Sequence, residues 1–331
     1  MRKTRRGKLK KQKKILIISM VAVLFTLSVG YATFSTNISL NAKGNIHKKS
    51  IPTASEFIED LASKDTVTLF NDGNGNIRYT GASDTVHNYI CLSETDGNNC
   101  QDKHLYRIIG LFDNIKKTEE DTTGEKRVKV IKATQYSEDY WDRDASGNGS
   151  NNWARPATLN TTLNTTYYDT LDTKAKGVIE SSVWYLGGNS STSVTASQAY
   201  AFERGTTVPS GNPTKTSGIF ALMYPSDYGY ASSTCKDGTV KNINYYEEGN
   251  CRETDWLWLN NSKTEWLLSP NSSYSSYAFR LYSSGYVSSY DSVYSYSHVV
   301  RPTAHLKSTV TIDAEGRDGT QSNPYVAIYN E

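Results

Sequence analysis

Residue types that carry catalysis are sparse in this chain of 331 residues, and their spacing is poor for it. Five histidines stand at 47, 87, 104, 298 and 305, and none forms HExxH or another ligand pair. No G-x-S-x-G elbow marks a hydrolase nucleophile. Glu247, Glu248 and Asp227 have no spacing that defines a glycosidase pair. Asp72, Asn74 and Asn76 alternate as in a calcium loop, but the twelfth position is Ser83, where a bidentate Glu is needed. A turn before a strand over 77–80 is the expected reading. No metal and no cofactor is expected.

The four cysteines fall in two local pairs, Cys91 with Cys100 and Cys235 with Cys251. Neither pair has zinc-site spacing. In an exported chain two loop-closing disulfides are the simplest reading, each contributing on the order of 2–3 kcal/mol. Free thiols in a reducing compartment are the alternative.

What stands out instead is recognition chemistry. Residues 271–298 hold 11 Ser and 7 Tyr among 28 positions. Tyr offers a large rigid contact surface with few torsions to freeze, and Ser offers adaptable hydrogen bonding, as in antibody binding loops. The expected contacts are Tyr274, Tyr277, Tyr282, Ser284, Tyr286, Ser288, Tyr290, Asp291, Tyr294, Tyr296 and His298. Phe279, Leu281, Val287 and Val293 punctuate the stretch and Gly285 offers a turn, so short strands with one face inward are expected. A wet, purely structural sheet face would have the same composition.

The elements that position this stretch can be anticipated in part. Thr53-Ala54-Ser55-Glu56 is a capping box, and Phe57, Ile58 and Leu61 share one helical face, so a helix ending near Ser63 is expected. Strands are expected over 87–92 and 104–112. Residues 127–133 alternate with period two, which predicts a strand with one buried face. The segment between, 114–126, reads as a charged, mobile loop. Residues 175–184 have helical spacing, ended by Gly187-Gly188. A short strand over 199–204, a central strand over 219–224 and a turn at Pro225-Ser226-Asp227-Tyr228-Gly229 follow. Two strands at 256–259 and 266–268 are expected around Asn260-Asn261, with strands near 299–302 and 309–312 closing the sheet. Trp258, Gly285 and Arg301 are expected to be structural, Arg301 against an acidic or carbonyl partner.

The formal net charge of +2 conceals two regions. Residues 1–32 hold nine of the 36 Lys and Arg and none of the 34 Asp and Glu, so the remainder is acidic by seven. That balance excludes nucleic acid as a partner by electrostatics. A basic start, an apolar run over 15–29 and small residues at Gly30 and Ala32 follow the order of a secretory signal cut after Ala32. An uncleaved anchor in the membrane remains the alternative, and either places the bulk of the chain outside the cell. The expected organisation is a signal or anchor over 1–32, a short helix-bearing segment over 33–65 and an extracellular domain over 66–331.

The junction GYATFSTNISLNAKGNI resembles leaders of exported Gram-positive surface and matrix proteins. The set NYI-C, LYRIIGLF, RVKVIKA, WARPATLN, LN-x-x-YY-x-x-L, Y-x-x-ER, LMYPSDYGYA, the W-L-x-SP motif as WLLSP, and VVRPTAHL resembles an uncharacterised family of exported Firmicutes surface proteins, over roughly 85–330. Early helices, a tryptophan-flanked β-core and a late loop-strand surface before a closing R-P strand resemble the C-type-lectin-like fold. That fold occurs in formylglycine-generating enzymes and in the variable proteins of diversity-generating retroelements. The resemblance implies an α+β fold with a mixed or antiparallel β core and flanking helices. It also implies that Asn271 and the Tyr, Ser, Asp and His residues above are drawn from the menu of adenine-directed mutagenesis at exposed positions. Calcium-dependent lectins use E-P-N or Q-P-D; here Ser269-Pro270-Asn271 lacks the carboxylate, so sugar binding through calcium is not expected. The function expected is an exported surface protein binding a protein or glycan ligand across 271–298. A fixed envelope or matrix component is the alternative. A formylglycine-generating-type oxidase using Cys235 or Cys251 is the third.

Overall fold

The computed structural model describes residues 13–14, 17–24, 51–95, 99–237 and 241–329. The chain divides into two units, Met1–Ser50 and Ile51–Glu331. In the first, residues 17–24 are helical and expose Ile17, Ile18, Met20 and Leu24. Most of the leader and its cut site lie outside the described residues. No helix among the described residues is long and apolar enough to cross a membrane.

The second unit is α+β, with two large sheets. The longer sheet runs in the order Thr311–Asp313, Tyr325–Ile328, Tyr89–Cys91, Leu105–Ile115, Glu125–Lys132, Thr303–Leu306, Ile179–Glu180. The Ile77–Tyr79 strand branches from Leu105–Ile115 and carries Leu69–Asn71 beside it. Its pairs are antiparallel except Tyr325–Ile328 against Tyr89–Cys91. The smaller sheet runs Val287–Ser292, Tyr277–Leu281, Glu265–Pro270, Ser297–Val300, Ser137–Tyr140. Its one parallel contact pairs Glu265 with Val299.

The capping box at Thr53 forms as its spacing demands. The Thr53 hydroxyl accepts from Glu56 N–H at 3.3 Å and the Glu56 carboxylate accepts from Thr53 N–H at 2.8 Å. The helix Ala54–Lys64 buries Ala54, Phe57 and Ile58 and belongs to the same compact unit as the sheets. The turn over 71–76 precedes the Ile77–Tyr79 strand as expected. Asp72 is committed there, with Oδ1 accepting from Asn74 N–H and Oδ2 from Arg78 Nε.

Several local expectations are overturned. Glu125–Lys132 is a strand, but residues 127–132 are all buried, so both faces are covered rather than one. Helix Thr173–Val178 stops well before 184; Ile179–Glu180 and Ser182–Tyr185 are strands, because β-branched and aromatic residues there favour pairing over helix. Residues 199–204 lie not in a strand but largely in helix Ala196–Glu203, started by a second capping box between Thr195 and Gln198. Residues 220–224 are buried and Ile219 is half-buried, yet the segment forms no strand and makes one bridge, Ala221 to Thr303. Pro225–Ala231 is a helix rather than a turn: Pro225 sits at its first position, and Asp227 Oδ2 accepts from Tyr224 N–H at 2.9 Å. Residues 256–257 form a buried turn, Trp258 and Leu259 are half-buried outside any strand, and only Glu265–Pro270 is a strand. The two closing strands lie in different sheets, Ser297–Val300 in the smaller and Thr311–Asp313 in the larger.

The core is continuous and rich in tryptophan. Trp141 and Trp153 meet edge-to-face at 5.0 Å. Indole N–H groups of Trp141, Trp184, Trp256 and Trp266 donate to the carbonyls of Leu267, Gly218, Tyr79 and Asp139. Buried indoles thus lose no hydrogen bond on leaving water, which lets large apolar surfaces be buried at little polar cost. Both expected disulfides are present, Cys91–Cys100 and Cys235–Cys251, with Cα atoms 5.8 and 5.5 Å apart.

Candidate functional site

The Tyr/Ser-rich stretch forms the free end of the smaller sheet. Tyr277–Leu281 and Val287–Ser292 are its hairpin, joined by a turn at Gly285. Gly285 is required there: its φ is +98°, and a Cβ would lie 2.7 Å from Arg252 Cβ. Three successive carbonyls of this turn are held from outside it. Trp258 Nε1 donates to Ser283 at 3.0 Å, an Arg252 guanidinium N–H to Ser284 at 2.6 Å, and the Tyr228 hydroxyl to Gly285 at 2.6 Å. Trp258 thus bonds the turn from the core side. Arg252 follows directly on Cys251, so the second disulfide anchors one of these three donors.

The 271–277 loop is held the same way. Asn151 Nδ2 donates to the carbonyls of Asn271, Tyr274 and Tyr277 at 3.0, 3.0 and 2.6 Å. Asn271 Oδ1 accepts from Ser273 and Tyr274 N–H, and its Nδ2 donates to the Ser289 carbonyl. The loop backbone is thus fixed by two asparagines, which leaves the tyrosine side chains free of structural duty. Asn271 is fully buried, so it is not one of the exposed positions expected from the menu.

An open concavity of about 530 Å³ lies on this surface. Tyr277, Tyr282, Tyr290, Tyr294 and Tyr296 line it with Ser276, Ser292 and Ser295, and Arg280 and Asp291 line it as well. Tyr274, Tyr290 and Tyr296 are about half exposed, at 53, 53 and 54 %. Tyr274, Tyr277 and Tyr290 form a mutual cluster with ring centroids 5.7 to 6.1 Å apart. Tyr282 stacks on Tyr286 at 4.3 Å, and the Arg280 guanidinium lies 3.8 Å from the Tyr282 ring centre. Burial and the neighbouring Tyr282 hydroxyl push the Tyr286 phenol up to about 12, so it stays a hydrogen-bond donor at neutral pH.

Asp291 departs from its expected role as an exposed contact. It is 2 % exposed. Its Oδ2 accepts from both Arg280 and His298. The odd positions 287, 289, 291 and 293 all point inward, and that register carries Asp291 in with Val287 and Val293. Arg280 and Asp291 neutralise one another, which leaves a polar region without net charge. His298 lies behind Asp291, packed 4.4 Å from the Trp266 ring. Ser284 and Tyr286 sit at the hairpin turn and Ser288 on the outward face of its second strand, all three half-buried and away from the concavity's lining. Arg280, Asn151 and Arg252 carry weight that their sequence neighbourhoods do not signal; only the outward phase of the Tyr277–Leu281 strand marks Arg280.

Arg301 is buried as expected. Its Nε donates to Glu265 Oε1 at 2.7 Å, and its second nitrogen to Glu265 Oε2 at 2.9 Å and to the Leu257 carbonyl at 2.7 Å. Burial raises the Glu265 carboxyl, with Arg301 opposing. This pair ties the parallel strands Glu265–Pro270 and Ser297–Val300 beneath the hairpin. Cys235 and Cys251 are both disulfide-bonded, so neither is a free thiol.

No protein-family model, no curated protein and no solved structure matches this chain.

Proposed function

We propose that this is an exported surface protein that binds a glycan in the concavity of the Tyr/Ser hairpin, without calcium. One observation carries the reading: the backbone of 271–285 is held by Asn151, Asn271, Arg252, Trp258 and Tyr228, while Tyr274, Tyr290 and Tyr296 keep about half of their surface exposed. Exposing three large aromatic rings on one small patch serves no purpose in packing, and exposed aromatic patches mark interaction sites.

The character of the concavity favours a sugar over a protein. Its volume falls within the 300–1,000 Å³ or so of small-ligand sites, and a protein partner needs roughly 800 Å² of contact on each side. Tyrosine faces stack on the apolar faces of sugar rings. Arg280, the serines and the phenols offer hydrogen-bonding groups to ring hydroxyls. The charge-neutral lining suits a neutral glycan better than an acidic polymer.

The two disulfides and the basic, apolar leader support export, since disulfides persist in oxidising compartments. A C-type-lectin-like scaffold, with residue exchange confined to the outward positions of 274–298, is the architecture this reading implies. The test is a screen of neutral cell-wall and host-type oligosaccharides in the presence of chelator, followed by titration calorimetry. Binding that survives chelation and is lost in Tyr290→Ala supports the reading. Binding to no glycan, combined with capture of a protein through the same tyrosines, replaces it with protein recognition. Concentration-dependent self-association through those tyrosines supports the matrix alternative.

A further inference from the structure

A second cluster lies between the larger sheet and the helix Pro225–Ala231. Asp227, in the helix Pro225–Ala231, meets two cations at once. Lys129 Nζ donates to its Oδ2, and Arg78 Nη1 donates to its Oδ1 at 3.1 Å. The side chains of Lys129, Asp227 and Arg78 are each 1 % exposed. The Lys129 ammonium is boxed by aromatic rings, with Tyr224, Phe112 and Trp184 centres 4.5, 5.3 and 5.6 Å away.

Burial pushes the Lys129 amine down to about 8, against the opposing pull of Asp227. Arg78 and Lys129 hold the Asp227 carboxyl below its usual range despite burial. Asp72 balances the Arg78 charge through a 2.6 Å bond, and Glu203 lies against Arg204 at 3.5 Å. The cluster is thus charge-balanced, with one ammonium and one carboxylate forced together in a dry site.

We propose that Lys129 and Asp227 condense to an intramolecular amide, a covalent strut between the Glu125–Lys132 strand and the helix carrying Asp227. A proton first passes from the ammonium to Oδ2 within the ion pair, giving an amine and a carboxylic acid. The Nζ lone pair then attacks Cγ, forming the C–N bond. Negative charge develops on Oδ1, where the Arg78 guanidinium already sits to stabilise it. The C–Oδ2 bond breaks and Oδ2 leaves as water, carrying two of the three ammonium protons. The third stays on the amide nitrogen. No oxidant, reductant or activated donor is required.

Two features favour the product. Condensation removes two buried charges at once, and buried ions carry a desolvation cost that a neutral amide does not. The Arg78–Asp72 and Arg204–Glu203 pairs remain intact, so no charge is left uncompensated. Water, which would reverse the reaction, is excluded from the site by Phe112, Trp184 and Tyr224. The two residues are 98 apart in sequence, so the bond would close a large loop across the unit.

The test is mass spectrometry of the purified full chain, with tryptic mapping. The expected intact mass, after reduction of the disulfides, is one water below that of the sequence. Trypsin should release the 128–132 peptide, uncut after Lys129, joined to the 216–236 peptide. Lys129→Arg should restore the full mass, and Asp227→Asn should lose ammonia in place of water. A wild-type chain at full mass, with separate 128–129 and 216–236 peptides, overturns the proposal whether or not either variant folds.

Discussion

The indole N–H of Trp258 donates to the carbonyl of Ser283 at 3.0 Å, so a core-side tryptophan holds the turn of the hairpin that carries the tyrosines. Arg252 lies 5.1 Å from the centre of the same indole and donates to the next carbonyl, Ser284. Trp258→Phe keeps a ring but removes the donor. The expected loss is about 1 kcal/mol of stability, the net value of one hydrogen bond. Amide hydrogen exchange should accelerate at 282–286 and stay unchanged in the Leu105–Ile115 strand. Uniform acceleration would mean that the bond serves the whole unit and not the turn.

Arg301 and Glu265 form a buried bidentate pair beneath this hairpin. Arg301→Met leaves the Glu265 carboxylate buried without its partner, and a loss of about 3–5 kcal/mol is expected. The double change Arg301→Met with Glu265→Leu should recover most of that loss, because no lone charge remains. Urea denaturation of the two singles and the double checks this. A double variant as unstable as the single would show that Arg301 acts mainly through its bond to the Leu257 carbonyl.

Glu203 gives the unit a distinct pH dependence. Burial pushes its carboxyl up to about 7, although the Ser226 N–H and hydroxyl donate to it at 2.8 and 2.6 Å. The folded value lies above the unfolded value of 4.5. The folded state therefore binds the extra proton, and this contribution is complete below pH 4.5 and lost as pH rises toward 7. Glu203→Gln should flatten the fall in stability between those limits relative to the native chain. Thermal melts at pH 5 and pH 7.5 compare the two directly. An unchanged slope in the variant would assign the dependence to another group.

Much of this frame is legible in the residues. The T-A-S-E capping box, the local cysteine pairs, the glycine turn and the buried arginine before Pro302 are short-range signals with one physical solution each. The errors fall where local signals are ambiguous. A-Y-A-F-E-R alternates like a strand, but the capping box at Thr195 and Gln198 sets it as a helix. Y-P-S-D reads as a turn until Pro225 and Asp227 are seen as the first and third positions of a helix. Asp291 illustrates a different failure. Composition says that an aspartate among tyrosines and serines is exposed, whereas phase from Val287 says it points inward. The phase was readable and the composition misled. Asn151 and Arg252 could not be found in sequence, because their partners are backbone carbonyls more than thirty residues away.

Tyr290 and Arg280 separate a surface that binds from one that is merely wet. Tyr290 is 53 % exposed and touches Tyr274 and Tyr277 only at ring centroid distances of 6.1 Å. Its hydroxyl donates to the Ser190 carbonyl at 3.2 Å, in an exposed setting where water can substitute. Tyr290→Ala should therefore change stability by less than about 1 kcal/mol. If the ring stacks on a sugar, the same change should weaken binding by about 1–2 kcal/mol, roughly a tenfold rise in Kd. Arg280→Lys keeps the charge beside Asp291 but cannot contact both Asp291 and the Tyr282 hydroxyl through one planar fork, as Arg280 does. It should lower both stability and affinity, because Tyr282 loses its anchor and Asp291 keeps only His298 at full strength. Melts and calorimetry on the two variants give a two-by-two outcome. Affinity lost with stability kept in Tyr290→Ala identifies a contact residue. Both properties unchanged there would mean that the tyrosine cluster faces water and nothing else.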